Sequence, residues 1–212
     1  MEPIQRPSGP TTPGITQSLN TATYPHFHAF GLKLRPFREG DALPWLNYLC
    51  LPQVMNITAW DTVSIAELQA LMDAPPGQRA TRFCLATQKD DFLVGTIGFI
   101  DVHDGKAEIA YDLHPDLWGK GIASAACSVM CDWGFSQLQL RSIKASAGVE
   151  NRASARVLEK CGFALETTVR EIRYVGGKPA DFRVYRRLAA EGQAGETTIS
   201  SATPVGAIRR PG

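Results

Sequence analysis

Two hydrophobic periodicities alternate along the chain. Residues 32–35 alternate apolar and polar positions as a strand does. After Pro36 the spacing turns helical, unevenly over 42–51 with Asp41 placed as N-cap. It is helical again over 64–72, where Ser64 and Glu67 have the spacing of a capping box. Residues 81–86 read as a strand, a turn at 89–91 leads into a second at 92–100, and Asp104-Gly105 is a hairpin signal ahead of a third at 107–113. A helix-periodic run then reaches about Phe135, and residues 142–147 return to strand character. Asn151 caps a short helix that Gly162 stops. A long strand over 164–175, a Gly176-Gly177 turn and a last strand over 181–187 complete the pattern.

The flanks lack such periodicity. Their Pro, Gly, Thr and Ser content predicts a loosely attached segment at 1–29 and a flexible tail at 190–212, around one domain at 30–189. A length of 212 residues and an apolar fraction of 44% suit that single core. The formal charge of +1, without runs of like charge, points away from nucleic acid. No apolar run has membrane-spanning length, and the first residues lack a signal-peptide segment. Cys50, Cys84, Cys127, Cys131 and Cys161 show neither disulfide nor zinc spacing, so buried thiols in a reducing cytoplasm and no metal are expected.

The densest chemical signal is Trp118-Gly119-Lys120-Gly121-Ile122-Ala123-Ser124. Small residues at 119, 121 and 123 let backbone approach a ligand where a helix starts, and the unpaired N–H groups and dipole there favour an anion. Ile122 after Gly121 excludes a Walker loop, and Ser124 fits the third small position of a Rossmann fingerprint poorly. An ordinary glycine turn ahead of a core helix would look the same. What narrows the reading is the second half, where Asn151 and Ser154 stand three apart on one helix face, followed by Gly162-Phe163.

Taken together, Trp-Gly-Lys-Gly and Asn-x-x-Ser-x-x-Val-Leu-x-Lys-x-Gly-Phe resemble the acetyl-CoA-binding core of the GNAT N-acetyltransferases, in particular the RimJ/RimL branch. The resemblance runs over about 31–188. It implies an α+β fold: a mostly antiparallel twisted sheet of six to seven strands, splayed between the fourth and fifth, with about four helices. It also implies direct attack of a primary amine on acetyl-CoA. The acceptor would be a protein N-terminus or a small amine such as an amino acid, polyamine or drug; a non-catalytic CoA-binding module is the alternative. A monomer or homodimer is expected.

By the same resemblance the backbone of Gly119, Lys120, Gly121, Ile122, Ala123 and Ser124 would hold the pyrophosphate. Trp118 stands where most of the family has Gln or Arg and its RimJ/RimL branch has Trp. Tyr111, Asp112 and Leu113 would hold the pantetheine arm, with a main-chain N–H near Leu113 polarising the thioester. Asn151 would bond the pantetheine or a bridging water. Ser154 would give a proton to the leaving sulfur, and Glu108 would act as base, with Asp112, His114 and Tyr111 as rivals. Trp60 and Asp61 are candidates for acceptor contact.

Overall fold

The computed structural model describes residues 24–59, 63–73 and 81–190. Trp60, Asp61 and the segments 1–23 and 191–212 lie outside the described residues. Tight turns make neighbours of successive strands. At Asp104 and Gly105 both φ angles are positive (47° and 70°), the conformation whose twist matches a two-residue hairpin, and His103 pairs with Lys106 across it. Such hairpins join β1 (His28–Ala29) to β2 (Leu32–Arg35), β4 (Leu93–His103) to β5 (Lys106–Leu113), and β7 (Ala164–Val175) to β8 (Lys178–Leu188). With β3 (Thr81–Thr87) and β6 (Ser142–Gly148) they form one open sheet in the order β1-β2-β3-β4-β5-β6-β8-β7.

Only β5 and β6 run parallel, and they pair only from Lys106 to Glu108. Beyond Glu108 they separate, so the expected splay is present between these two strands. Among the described residues there are eight strands and five helices. The count exceeds the expectation because of β1, two residues long, and α2 (Pro52–Met55), a single turn. Pro52 explains the latter. The residue before a proline avoids the α region, and Leu51 is extended at ψ 133°, so α1 (Ala42–Leu49) stops early and Pro52 opens a new turn.

Side-chain alternation sorts the two faces. Phe83, Leu85, Ile97, Phe99, Ala107 and Ile109 face α4 (Ile122–Gln137) and α5 (Arg152–Lys160), while Cys84 and Ala86 face Trp45, Tyr48 and Leu49 of α1 and Leu68 of α3 (Ile65–Met72). Burying each large side chain contributes about 1.5–3 kcal/mol. The core also takes in Phe27, upstream of the 30–189 span, with Tyr24 edge-on to Phe83.

The capping box of α3 is formed, Glu67 N–H donating to Ser64 Oγ at 3.2 Å and Ser64 N–H to Glu67 Oε2 at 2.7 Å. Asp41 stands at the N-cap position of α1 but makes no side-chain cap bond. Its carboxylate instead accepts both guanidinium arms of Arg35, at 2.6 and 2.9 Å, because a buried bidentate ion pair outweighs one cap bond. Cys84, Cys127, Cys131 and Cys161 are buried thiols, and Cys50 is exposed.

Candidate active site

The divergence of β5 from β6 opens a cleft of about 610 Å³, closed on its other sides by the start of α4, the outer face of α5 and the chain around α2. His114 N–H donates to Val94 O at 2.8 Å, toward β4. Successive N–H groups along a strand point to opposite sides, so that of Leu113 faces the gap left by β6. The indole N–H of Trp118 donates to Leu113 O at 2.8 Å and pins the end of β5 to the turn that leads into α4.

That turn needs its glycines. Gly119 and Gly121 have φ of 75° and 79°, left-handed values that cost an L-residue about 1–2 kcal/mol, and no atom lies within 4 Å of where either Cβ would be. The backbone is therefore open to the cleft at the N-terminus of a 16-residue helix, whose first N–H groups lack intrahelical acceptors. Ile122, Ala123 and Ser124 also line the cleft, whereas Lys120 does not.

Opposite stands α5. Asn151 caps it as expected, its Oδ1 accepting the Ser154 N–H at 3.0 Å, while its Nδ2 donates to Ile57 O at 3.1 Å just beyond α2. The Ser154 hydroxyl lies 2.9 Å from the Tyr111 hydroxyl across the cleft floor. Burial pushes the Tyr111 phenol well above its ordinary range, so it stays protonated and is no base.

The cleft walls hold cations the sequence reading missed. Arg152, Arg156 and Lys160 recur every four residues and so lie on one stripe of α5, along the cleft. Their spacing was legible in the sequence. Which face of α5 borders the cleft was not.

Asp112 borders the cleft through its position on β5, but its carboxylate turns to the α1 face. There it accepts the Tyr48 hydroxyl and that of Thr96 (2.8 Å) and pairs with Arg82 at 2.5 Å. Fully bonded and buried, it is not open to an incoming amine. The Tyr48 phenol is raised by burial, and further by Asp112. His114 uses Nδ1 to accept the Asp116 N–H at 3.3 Å.

Glu108 lies outside the cleft. Two-residue alternation places it with Ala110 and Asp112 on the face opposite Tyr111 and Leu113. One oxygen, Oε1, accepts from Ser146 Oγ at 2.9 Å and pairs with Arg173 of β7 at 3.4 Å. The β7–β8 turn closes over this side, with Gly176 placed so that a Cβ would lie 3.4 Å from Asn56 Oδ1. Among the described residues no three His, Cys, Asp or Glu side chains converge as a metal site, and no helix is long and apolar enough to cross a membrane.

Residues 31–164 match the family model for the GNAT acetyltransferase domain. An uncharacterized N-acetyltransferase of Bacillus licheniformis, p20, is 35% identical over 167 residues, 76% of this chain and 94% of its own. The backbone superposes with a TM-score of 0.68 on the ribosomal-protein-S5-alanine acetyltransferase of Vibrio fischeri, at 21% identity over 77% of this chain and 96% of that one. It superposes at 0.65 on spermidine N-acetyltransferase of Vibrio cholerae bound to CoA and spermine, at 25% identity over 74% and 95%. The chain belongs to the GNAT family of acetyltransferases. It is an N-acetyltransferase, and acetyl-CoA is its cosubstrate.

Proposed function

We propose that this acetyltransferase acylates the α-amino group at the N-terminus of a protein, by direct attack on acetyl-CoA bound in the splay. The α4 N-terminus holds the pyrophosphate, the stripe of Arg152, Arg156 and Lys160 adds positive charge along the same wall, and Asn151 orders the start of α5. The Leu113 N–H polarises the thioester carbonyl, where pre-oriented backbone dipoles act most strongly. As the amine nitrogen bonds to that carbon and the carbon–sulfur bond breaks, Ser154 shares its proton with the departing sulfur. Glu108 is four residues from Asp112, about 13 Å along the strand at ~3.3 Å per residue. With Oε1 also engaged by Ser146 and Arg173, it is too far away to be the base, and the amine's proton passes to solvent water.

The observation that carries the choice of acceptor is the state of the carboxylates on the side of β5 opposite Tyr111 and Leu113. Glu108 is paired with Arg173, and Asp112 is buried against Arg82. Neither of these two carboxylates is thus free to hold a polycation, and Arg173 repels one. An α-amino group suits such a site. With a pKa of about 7.7–8.0 a useful fraction is already neutral at pH 7, whereas a lysine at about 10.4 is almost wholly charged.

Release of free CoA thiol tests it with three acceptors: a short peptide with a free N-terminus, an Nα-blocked peptide bearing lysine, and spermidine. Turnover of the first well above the other two is expected. Faster turnover of spermidine would replace this reading with a polyamine acetyltransferase.

A further inference from the structure

The Tyr111 hydroxyl touches Ser154 twice, at 2.9 Å from Oγ and 3.3 Å from the carbonyl oxygen. A phenol has one proton and a carbonyl can only accept, so two arrangements are available. In the first, Tyr111 donates to the Ser154 carbonyl and receives the serine's own proton; nothing is left for the cleft. In the second, Tyr111 donates to Ser154 Oγ at the shorter distance, and the serine proton is free to point into the cleft.

We infer that Tyr111 is a positioning residue that turns the Ser154 proton toward the departing sulfur. The inference rests on the reading of Ser154 as the group beside that sulfur. A serine hydroxyl in a first helical turn, left alone, rotates and spends its proton on a nearby backbone carbonyl. Here the half-buried phenol, carried on β5, occupies the serine oxygen, while the Asn151 cap bond fixes the serine backbone. A neutral thioester sulfur gives no reason to leave the first arrangement. A developing thiolate does, because a charge-assisted hydrogen bond is about twice as strong as a neutral one. The switch therefore acts where the electron pair lands on sulfur. Tyr111 keeps its proton throughout, consistent with its raised pKa. The proton lost by the amine leaves through water.

The test needs no acceptor, since CoA itself carries the product thiol and acetyl-CoA is a control that cannot ionise. Calorimetry from pH 6.5 to 9.5 gives the ratio of the two affinities for each variant, which cancels any general loss of binding. For the wild type the ratio should shift toward CoA by about tenfold, as expected if the bound thiol ionises about one unit below a free thiol's ~8.5. Tyr111→Phe should lose that shift as fully as Ser154→Ala, and the double variant should lose no more than either. If Ser154→Ala loses the shift and Tyr111→Phe keeps it, the serine acts unaided and Tyr111 has no such role. If Ser154→Ala keeps the shift, the reading of Ser154 fails and the inference goes with it. 3-Fluorotyrosine at 111, a stronger donor, should enlarge the shift; a reduced shift would also overturn the inference.

Discussion

Asn151 joins two walls of the cleft, its Nδ2 donating to the Ile57 carbonyl at 3.1 Å while its Oδ1 caps α5. The start of α5 is thereby tied across the cleft to the chain after α2. Asn151→Ser separates the two jobs, because serine caps as well as asparagine but is too short to reach Ile57. A stability loss of no more than about 1 kcal/mol is expected, the size of one hydrogen bond. Amide exchange at Ile57 and Thr58 should accelerate. Unchanged exchange there would show that the tie does not hold the loop.

The glycine turn makes an electrostatic prediction that its geometry isolates. Any L-residue at position 121 meets the same left-handed φ and the same open space. Gly121→Ala and Gly121→Glu should therefore lose similar folding stability, about 1–2 kcal/mol. Only the glutamate places a negative charge at an anion site. Its acetyl-CoA affinity, by calorimetry, should fall at least about tenfold below that of the alanine variant, equivalent to about 1.4 kcal/mol. Equal affinities would move the pyrophosphate elsewhere.

Gly134 sets two effects against each other. Alanine is the better helix former by about 1 kcal/mol. A Cβ at 134, however, would lie 2.6 Å from the Phe99 ring, and Phe99 is itself fully buried beneath α4. Overpacking a tight core costs about 1–3 kcal/mol, and a ring held between helix and sheet has little room to yield. Gly134→Ala should therefore lower the melting temperature, by up to about 8 °C for a net loss of up to about 2 kcal/mol. A rise would mean that helix propensity wins.

Alkaline stability follows from buried acids. Burial pushes the Cys84 thiol from 9.0 to about 12, and the Tyr48 and Tyr111 phenols also upward. Each raised group binds its proton more tightly when folded. Its contribution is thus complete below the unfolded pKa and is lost as pH rises toward the folded one. Between about pH 9 and 12 Cys84 alone should cost up to ~1.4 kcal/mol per pH unit, with the tyrosines adding above about pH 10. Cys84→Ala should flatten the fall in melting temperature from pH 9 upward; an unchanged slope would assign it to other groups.

Much of the site was legible because its parts are local. Asn151 as cap, Ser64 with Glu67, the Asp104-Gly105 hairpin and the glycine turn each depend on residues within a few positions of one another. Asp41 shows where local reasoning stops. Its capping preference was real, but Arg35, brought alongside by the fold, offered two charge-assisted bonds instead. Asp112 and Glu108 differ from expectation for a related reason. Strand alternation is local, but the partners that occupy them, Tyr48, Arg82 and Arg173, come from distant elements.

The sequence by itself determined most of the elements, to within a few residues at their ends, and that a glycine-opened helix precedes an Asn-x-x-Ser helix. Those features follow from backbone conformational preference and hydrophobic period, which act over a few residues. Tertiary structure alone decided that β5 and β6 part after Glu108, that the Tyr111 hydroxyl meets Ser154 across the gap, and that the α5 cations border the cleft. Each of these depends on two surfaces far apart in the chain finding one relative position. That position is selected by packing of the whole core, and no short stretch encodes it.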